Sequence, residues 1–469
     1  MSIFSRKPAL NAHRWVGVFL SAFLYLICLS GTVVVFNQEL ERWEQPQIEE
    51  FEQVNPRAVD KALTTFADKY PQKTEHYYVV FPTSGIPRLV VENDHTAFFA
   101  DKSGNLLEKE AFDWSQMVLD LHYYLHLPSS FGMIAVSALG AVICMLVITG
   151  FFAHKKLVRD AFKWRRGGSG QAGRIDLHNR FGVWASPFHL MIGVTGTYFG
   201  MAGLILALVA QVDEGGDRQA VMDKVFTPEP VLSQPTNFPA VDTAISHFNE
   251  MDTGHKPIFL TVHDVGTPQQ FIEIYAQVTD KLIYSENYRF NSQGEFLDTA
   301  HYDDGHWGKQ LIYSIYRLHF GDFAGLPVKG LYFVLGIMLT ALCVSGMDIW
   351  LVKQTNPPRL SRVWSAVVWG SVSALSLSAL GALFLPVATT LSFWALLLLA
   401  CGLSVIIPGL NRRFWLRTTA ISLILLLTGY AIVHQAAFMS VASLQINIAL
   451  LLLSIWCWWR AGHPLYKDA

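Results

Sequence analysis

The chain has 469 residues, of which 52% are hydrophobic and only 15% are charged, whereas soluble domains average about 25% charged residues. This composition excludes an ordinary soluble enzyme. The 35 Lys and Arg residues nearly balance the 37 Asp and Glu residues, so no global basic character indicates nucleic-acid binding. All five cysteines lie inside apolar runs without the spacing of a zinc site, which argues against a disulfide framework or a cysteine metal centre.

Long apolar runs dominate the sequence. A helix needs about 20 apolar residues to cross a bilayer core about 30 Å thick. Eight stretches meet this requirement: residues 15–36, 132–153, 181–212, 326–352, 364–385, 390–408, 418–437 and 441–459. The first is predicted to be a retained anchor rather than a cleaved signal, because no small-residue cleavage site follows its apolar run. The sequence therefore predicts a multi-pass membrane protein.

Lys and Arg residues collect beside alternate ends of the predicted spans. They precede the first span and fill the connections after the second, fourth, sixth and eighth. Because cytoplasmic loops carry the excess of these residues, both termini are predicted to be cytoplasmic. The two long polar segments, 37–121 and 213–318, are then expected on the opposite side of the membrane.

The first 350 or so residues contain an internal repeat. Residues 12–32 align without gaps to residues 177–197, which pairs His13 with His178. Further on, Leu121-His122 resembles Leu318-His319, and Thr149-Gly150 resembles Ser345-Gly346. Each repeat is therefore predicted to contain a span, a polar segment and a second span.

The two polar segments share a pattern as well. The first has a helical period at 59–67 and strand-like runs at 76–81, 88–92 and 97–100. The second has a helical period at 241–248 and strand-like runs at 258–263, 270–275 and 287–290. Both are predicted to be small domains with a helix and an antiparallel sheet.

These features resemble the PepSY-associated transmembrane family of bacterial inner-membrane proteins. The motifs that carry the resemblance are His13-Arg14-Trp15-x-Gly17, Leu121-His122-x3-His126-Leu127-Pro128, Leu177-His178-x3-Gly182 and Leu318-His319-Phe320-Gly321-Asp322-Phe323-Ala324-Gly325-Leu326-Pro327. The better understood members of that family include ferric-siderophore reductases that hold two b-type haems. The resemblance implies PepSY-type periplasmic domains and covers residues 1 to about 353.

The predicted fold is an α-helical membrane protein with eight transmembrane helices and two small α+β periplasmic domains. Its predicted order is first span 1–36, PepSY-like domain 37–121, helix start and second span 122–153, basic cytoplasmic loop 154–177, third span 178–212, PepSY-like domain 213–318, fourth span 319–353 and accessory bundle 354–469. The last four spans lie outside the resemblance. Structural packing is the favoured role for them, with partner contact or proximity to quinone as alternatives.

Four histidines occupy equivalent positions in the two repeats: His13, His178, His122 and His319. If the repeats are related by an axis along the membrane normal, His13 and His178 approach it at one end, and His122 and His319 at the other. Two neutral imidazoles fill both axial positions of a low-spin haem iron. We therefore expect two b-type haems, roughly 20 Å apart along the helices. The alternative is that these histidines cap helix ends.

Two further histidines are candidate ligands. His126 lies one helical turn after His122 and on the same face, so it is an alternative to His122 or a ligand of an exposed metal. His189 lies eleven residues after His178, where the first repeat has Leu24. It is predicted to be either a haem ligand or a hydrogen-bonded supporting residue.

Three arginines flank the histidines near the predicted cytoplasmic face. Arg14, Arg174 and Arg180 are predicted to pair with haem propionates, since the guanidinium fork matches a carboxylate. The positive-inside rule explains them equally well.

The predicted function is that of an inner-membrane, haem-dependent oxidoreductase that passes electrons outward to a ferric chelate. By resemblance the substrate is a ferric siderophore, released as Fe(II) after reduction. No dinucleotide or flavin fingerprint occurs, so the electron donor is expected to be quinol, a reduced flavin or a partner protein. The alternatives are a non-enzymatic PepSY sensor or protease-regulating protein, and a transporter of iron or its chelate.

Overall fold

A computed structural model describes residues 6–153, 157–162, 170–354, 358–385 and 388–463. The chain divides into two compact units. The helical unit comprises residues 1–46, 112–201 and 326–469, and the sheet unit comprises residues 47–111 and 202–325. Much of the predicted basic loop, at 154–156 and 163–169, lies outside the described residues.

Helices make up most of the described chain. In order they are α1 Arg6–Phe19, α2 Ser21–Val34, α3 Asn37–Glu44, α4 Pro56–Lys69, α5 Asp113–Tyr124, α6 Ser129–Ala153, α7 Leu157–Ala161, α8 Gly170–Trp184, α9 Ser186–Asp213, α10 Arg218–Val225, α11 Val241–Glu250, α12 Trp307–Phe320, α13 Gly325–Val352, α14 Pro358–Ser365, α15 Ser371–Phe384, α16 Thr389–Ile406, α17 Arg412–Val433 and α18 Val441–Gly462. A π-helical turn, Ala366–Gly370, joins α14 to α15. The strands are β1 Tyr77–Val80, β2 Leu89–Asn93, β3 Thr96–Ala100, β4 Leu106–Lys109, β5 Lys256–His263, β6 Phe271–Gln277, β7 Glu286–Asn291 and β8 Phe296–Thr299.

Within the described ranges, seven helices are long and apolar enough to cross a membrane, or eight if α1 and α2 form one span. The seven are α6, α9, α13, the α14–α15 segment, α16, α17 and α18. The protein is therefore a multi-pass helical membrane protein. The predicted count of eight is reached only by counting α1 and α2 together.

The first apolar run is not the continuous helix that the sequence predicted. It breaks at Leu20, and the two helices on either side are bent by 70°. Ser21 follows the break, and its Oγ donates to the Val18 carbonyl at 2.9 Å. Hydroxyl groups that bond back into the preceding turn bend helices. The predicted 20 Å haem spacing assumed a straight first helix, so that distance no longer follows.

The second repeat breaks at the equivalent place. Helices α8 and α9 separate at Ala185, and Ser186 Oγ donates to the Val183 carbonyl at 2.9 Å. His13 and His178 therefore each lie on a helix that precedes a break, while the following helix carries the apolar span.

Two short helices belong to the helical unit rather than to the predicted domain at 37–121. Helix α3 buries Leu40 and Trp43, and α5 buries Met117 and Leu121. These side chains share one apolar cluster with α2 and the C-terminal helices. Removal of this apolar surface from solvent explains why the domain boundary moves to residues 47 and 111.

The two polar segments that were predicted to form small domains contribute to a single sheet. This sheet has eight antiparallel strands in the order β4-β3-β2-β1-β5-β6-β7-β8. The first polar segment supplies four strands and the second supplies the other four. They join because β1 pairs with β5, with Tyr78 opposite Thr261. This pairing satisfies the backbone groups that each half alone would leave at an open edge.

One face of this sheet packs against α4 and α11. Phe66 from α4 and Phe248 from α11 lie in one buried cluster with Val79, Leu260 and Ile272 of the strands. Burial of each such side chain stabilises the fold by about 1.5–3 kcal/mol. Because alternate strand residues point to opposite faces, the residues between these core positions form the other face of the sheet.

Candidate functional site

The structure brings His13 and His178 together. His13 lies on α1 and His178 lies on α8. Their ring centroids are 6.2 Å apart, and the ring planes are almost perpendicular at 87°. The helix breaks at Leu20 and Ala185 therefore do not prevent the approach that the repeat alignment predicted.

The ring of His13 is held by helix α6 of its own repeat. Its Nδ1 lies 3.0 Å from the carbonyl oxygen of Leu146 and 3.3 Å from Thr149 Oγ1. A Cβ atom on Gly150 would lie 3.4 Å from the Cε1 atom of His13, so a small residue lets α6 approach the ring. A carbonyl oxygen can only accept, so Nδ1 carries the proton and Nε2 keeps its lone pair.

His178 is held by helix α13 in the same way. Its Nδ1 lies 2.9 Å from Ser345 Oγ, and Ser345 Oγ in turn donates to the carbonyl oxygen of Leu342. The hydroxyl group therefore accepts from Nδ1, which leaves the lone pair on Nε2. A Cβ atom on Gly346 would lie 3.3 Å from the Cε1 atom of His178.

The two supporting arrangements are thus equivalent between the repeats. The pair Thr149-Gly150 in one repeat corresponds to Ser345-Gly346 in the other, as the sequence alignment indicated. A ligating histidine usually donates its second nitrogen to a neighbouring group, which fixes the tautomer and the ring direction. Both rings have this feature.

His122 lies on α5 and contacts α2. Its Nδ1 is 3.1 Å from the carbonyl oxygen of Ile27, the same kind of contact that His13 makes. The ring packs directly on Gly31, where a Cβ atom would come within 2.6 Å of His122 Cε1. Only glycine permits this approach without displacement of the ring.

His189 has an unusual environment within α9. Its side chain is fully buried, at 0% exposure, and neither ring nitrogen has a hydrogen-bond partner among the described residues. A buried polar group without a partner costs about 1–3 kcal/mol. The equivalent residue in the first repeat, Leu24, is apolar and 3% exposed. His189 therefore has both nitrogens available for a bound group.

Both ring nitrogens of His126 have partners. Nε2 donates to the Met117 carbonyl at 2.8 Å, and Nδ1 accepts from Trp394 Nε1 at 2.8 Å. His126 and the preceding Leu125 have positive φ angles of 56° and 53°, a strained conformation that the two hydrogen bonds hold. His126 thus shapes the turn between α5 and α6 and offers no free lone pair.

His319 lies on α12 in the sheet unit, beside Phe320 at 5.7 Å between ring centroids. His122 belongs to the helical unit. The predicted pairing of His122 with His319 stays a prediction.

The three arginines also stay predictions as propionate ligands. Arg14 places its guanidinium carbon 4.9 Å from the centroid of the Trp15 ring and donates to Asn11 Oδ1 at 3.4 Å. Arg174 and Arg180 lie half-buried on α8, on either side of His178.

Sequence reasoning missed the roles of three residues in this region. The repeat alignment contained Thr149 and Ser345, but their contacts with the histidine rings were not inferred. Trp394 on α16 had no sequence signal, since its hydrogen-bond partner His126 lies 268 residues away in the chain.

Comparison with known proteins places the repeat region in a known family. A family described as the PepSY-associated TM region matches residues 10–353. A curated relative, described as the uncharacterized protein PA4219 of Pseudomonas aeruginosa, is 25% identical over 290 residues, which covers 58% of this chain and 73% of that protein. The family match includes both repeats and ends where α13 ends. Since it covers well over half of the chain, this protein belongs to the PepSY-associated TM family.

Proposed function

We propose that the protein is an inner-membrane di-haem b-type oxidoreductase that reduces a periplasmic ferric chelate. A ferric siderophore is the substrate class that the family resemblance favours, with Fe(II) as the released product. The observation that supports this proposal most strongly is the facing pair His13 and His178, with equivalent supporting contacts in both repeats.

The residues of this pair fit a haem iron. Bonds from a metal ion to imidazole nitrogen are about 2.0–2.1 Å long, so two imidazoles on opposite sides of one ion have ring centres about 6 Å apart. The ring centroids of His13 and His178 are 6.2 Å apart. Their Nδ1 atoms are occupied by Leu146 and Ser345, which leaves Nε2 of each ring as the ligating atom.

We assign one haem to His13 and His178 and a second haem to His122 with His189. His126 is omitted because both of its nitrogens already have partners. When bound, a b-type haem with two histidine ligands supplies reversible one-electron transfer.

The chain's own residues set the conditions for that chemistry. The Leu146 carbonyl and the Ser345 hydroxyl orient the rings of His13 and His178 and increase the basicity of Nε2. The distribution of Lys and Arg supports cytoplasmic termini and a periplasmic sheet unit. The electron donor is quinol, a reduced flavin or a partner protein, because the sequence lacks a dinucleotide fingerprint.

Visible spectroscopy tests the proposal. The protein purified in detergent should show the reduced-minus-oxidised spectrum of b-type haem, with two haems per chain by pyridine haemochromogen assay. His178→Ala should lose one haem, whereas the control His434→Ala, in the C-terminal bundle, should keep both. A well-folded, colourless protein, or unchanged haem content in His178→Ala, would contradict the proposal.

A second assay tests the reaction itself. Protein in liposomes supplied with a reduced quinol and a ferric siderophore should produce Fe(II), detected with a ferrous chelator. The His178→Ala variant should produce it at least tenfold more slowly. Equal rates in the two proteins would show that this histidine pair does not carry the electrons.

A further inference from the structure

A row of polar and aromatic side chains crosses the centre of the sheet where its two halves meet. The row runs from Asp94 at the end of β2 through His76 beside β1 to His263 on β5 and Phe271 on β6. These residues alternate with the core positions of their strands, so they lie on the sheet face opposite α4 and α11.

The two histidines of this row lie close together, one from each half of the sheet. The ring centroids of His76 and His263 are 5.5 Å apart, with the planes at 86°. The His263 ring stacks on Phe271 at 4.4 Å and 8°, which limits its rotation. The side chains of His76 and His263 are 32% and 16% exposed, so an ion from solvent can reach them.

Each ring is oriented by a carboxylate. His76 Nδ1 lies 3.2 Å from Asp94 Oδ1, and His263 Nε2 lies 3.3 Å from Glu273 Oε2. Each carboxylate uses one ring nitrogen, which leaves Nε2 of His76 and Nδ1 of His263 for another partner.

Both carboxylates are themselves fixed. Burial alone would raise the pKa of Asp94, but hydrogen bonds from Thr74 and from the backbone N–H groups of Glu75 and His76 lower this pKa well below its usual range. Burial would likewise raise the pKa of Glu273, but hydrogen bonds from His263, Tyr275 and Arg289 outweigh it and lower the pKa to about 2. These contacts hold each carboxylate in place beside its ring, at 3.2 Å from His76 Nδ1 and 3.3 Å from His263 Nε2.

We propose that His76 Nε2 and His263 Nδ1 together bind one divalent first-row transition-metal ion. Imidazole suits ions such as Cu(II), Ni(II) and Zn(II), and ligating histidines commonly donate their second nitrogen to a carboxylate. With metal–nitrogen bonds of about 2.0–2.1 Å, two imidazoles on one ion have ring centres about 4.5 Å apart at a right angle and about 5–5.5 Å apart at tetrahedral or trigonal angles. The observed 5.5 Å separation lies at the upper end of this range.

The site is an exchangeable one. The described residues contain no group of three or more His, Cys, Asp or Glu side chains placed to hold a metal ion, so water completes the coordination shell. Affinity should follow the Irving–Williams order, with Cu(II) bound more tightly than Ni(II). This site is separate from the histidines of the proposed haem centres and stands whether or not those centres bind haem.

Titration of the full-length, tag-free protein in detergent with Zn(II) or Cu(II) tests the proposal. One ion should bind per chain at the site formed by the two rings. The variants His76→Gln and His263→Gln should each weaken this binding at least tenfold. The Cu(II) electron paramagnetic resonance spectrum should show two nitrogen ligands in the unaltered protein and one in each variant. Asp94→Asn should weaken binding about 10–100-fold, as expected for a group that orients a ligand.

His301→Gln is the matched control. His301 also pairs with a carboxylate, Asp304, at 3.1 Å, but it lacks a second ring at metal-binding distance among the described contacts. This variant should bind as the unaltered protein does, and all variants should keep the same far-ultraviolet circular dichroism. Equal binding by His76→Gln, His263→Gln and His301→Gln, or ion binding that is lost only in His178→Ala, would overturn the proposal.

Discussion

The C-terminal helices and the repeat helices differ in how much of their surface is buried within the protein. In the most apolar window of the α14–α15 segment, 50% of residues are buried, and in α17 the figure is 44%. In α9 it is only 11%, and in α6 and α13 it is 22%. In α16 and α18 the figure is 28%, only slightly above that of α6 and α13. The α14–α15 segment and α17 are therefore covered by contacts within the protein, whereas the repeat spans leave more of their surface for lipid or a bound group.

Polar groups show the same contrast. In the C-terminal bundle Ser373 Oγ lies 3.0 Å from Thr419 Oγ1, and Ser454 Oγ donates to the Ala420 carbonyl at 2.9 Å. In the repeat spans His189 is buried, and neither ring nitrogen has a partner in the part of the chain that the structure describes. These two bundle hydroxyl groups serve packing, whereas we propose that His189 is retained for a bound group.

The bundle also supports the repeats directly. Tyr25 of α2 donates to the Val368 carbonyl in the π-helical turn, and Trp114 of α5 donates to the Leu375 carbonyl at 3.0 Å. Asp348 of α13 pairs with Arg412 of α17 at 3.5 Å. These contacts favour the packing role expected for the last four spans.

Among the substitutions considered, replacement of His189 should have the largest effect on haem content. His189→Leu gives the second repeat the apolar residue that the first repeat has at Leu24. As a proposed ligand, its loss should reduce the haem content from two to one per chain, measured by pyridine haemochromogen assay. The control His434→Leu should keep both haems.

The opposite outcome is equally informative. If His189→Leu keeps both haems and its unfolding free energy rises by about 1–3 kcal/mol, the ring was only an unsatisfied buried group. His189 would then be removed from the proposed set of haem ligands.

Substitution of Gly31 should affect haem binding less than substitution of His189. Gly31→Ala would place a Cβ atom 2.6 Å from His122 Cε1, so the ring must move and its contact with the Ile27 carbonyl should weaken. We expect partial loss of one haem, or a shifted midpoint potential, in a spectroelectrochemical titration.

The matched control is Gly402→Ala in α16, where no atom lies within 4 Å of the added Cβ. It should leave the haem spectrum unchanged, and the higher helix propensity of alanine should stabilise the fold by up to about 1 kcal/mol. A similar spectral change in both variants would mean that His122 is not held for a cofactor.

The smallest expected effect concerns stability alone. Tyr430 donates to the Trp43 carbonyl at 2.7 Å and lies 2.7 Å from Ser443 Oγ. Tyr430→Phe should lower the unfolding free energy by about 1 kcal/mol, since hydrogen bonds within membranes contribute modestly, without any change in haem content.

Thr428→Val is its control, because the exposed Thr428 hydroxyl donates to the Ile424 carbonyl of its own helix and to no other group among the described residues. Denaturant unfolding in detergent compares the two variants. Loss of haem in Tyr430→Phe would contradict the view that the C-terminal bundle serves packing and the repeat helices bind the cofactor.

Sequence patterns predicted the spans and the approach of His13 to His178, because the length of an apolar run and an internal repeat can both be read directly from the sequence. The break at Leu20 was missed, since a serine that bonds back into its helix differs little in pattern from one that does not. The joined sheet was missed for a related reason. Period-two alternation is the same in an edge strand and a central one, so it does not reveal that β1 pairs with β5.

The pairing of β1 with β5 also bears on how such a chain arises. A protein with a single repeat would have four strands and an open β1 edge with unpaired backbone groups. Two copies of that shorter protein would meet along this edge as a symmetric dimer, because an isologous contact satisfies both edges at once. In a tandem duplicate this association no longer depends on protein concentration, because both halves belong to one polypeptide. The two halves are also free to differ in sequence, as they do at Leu24 and His189.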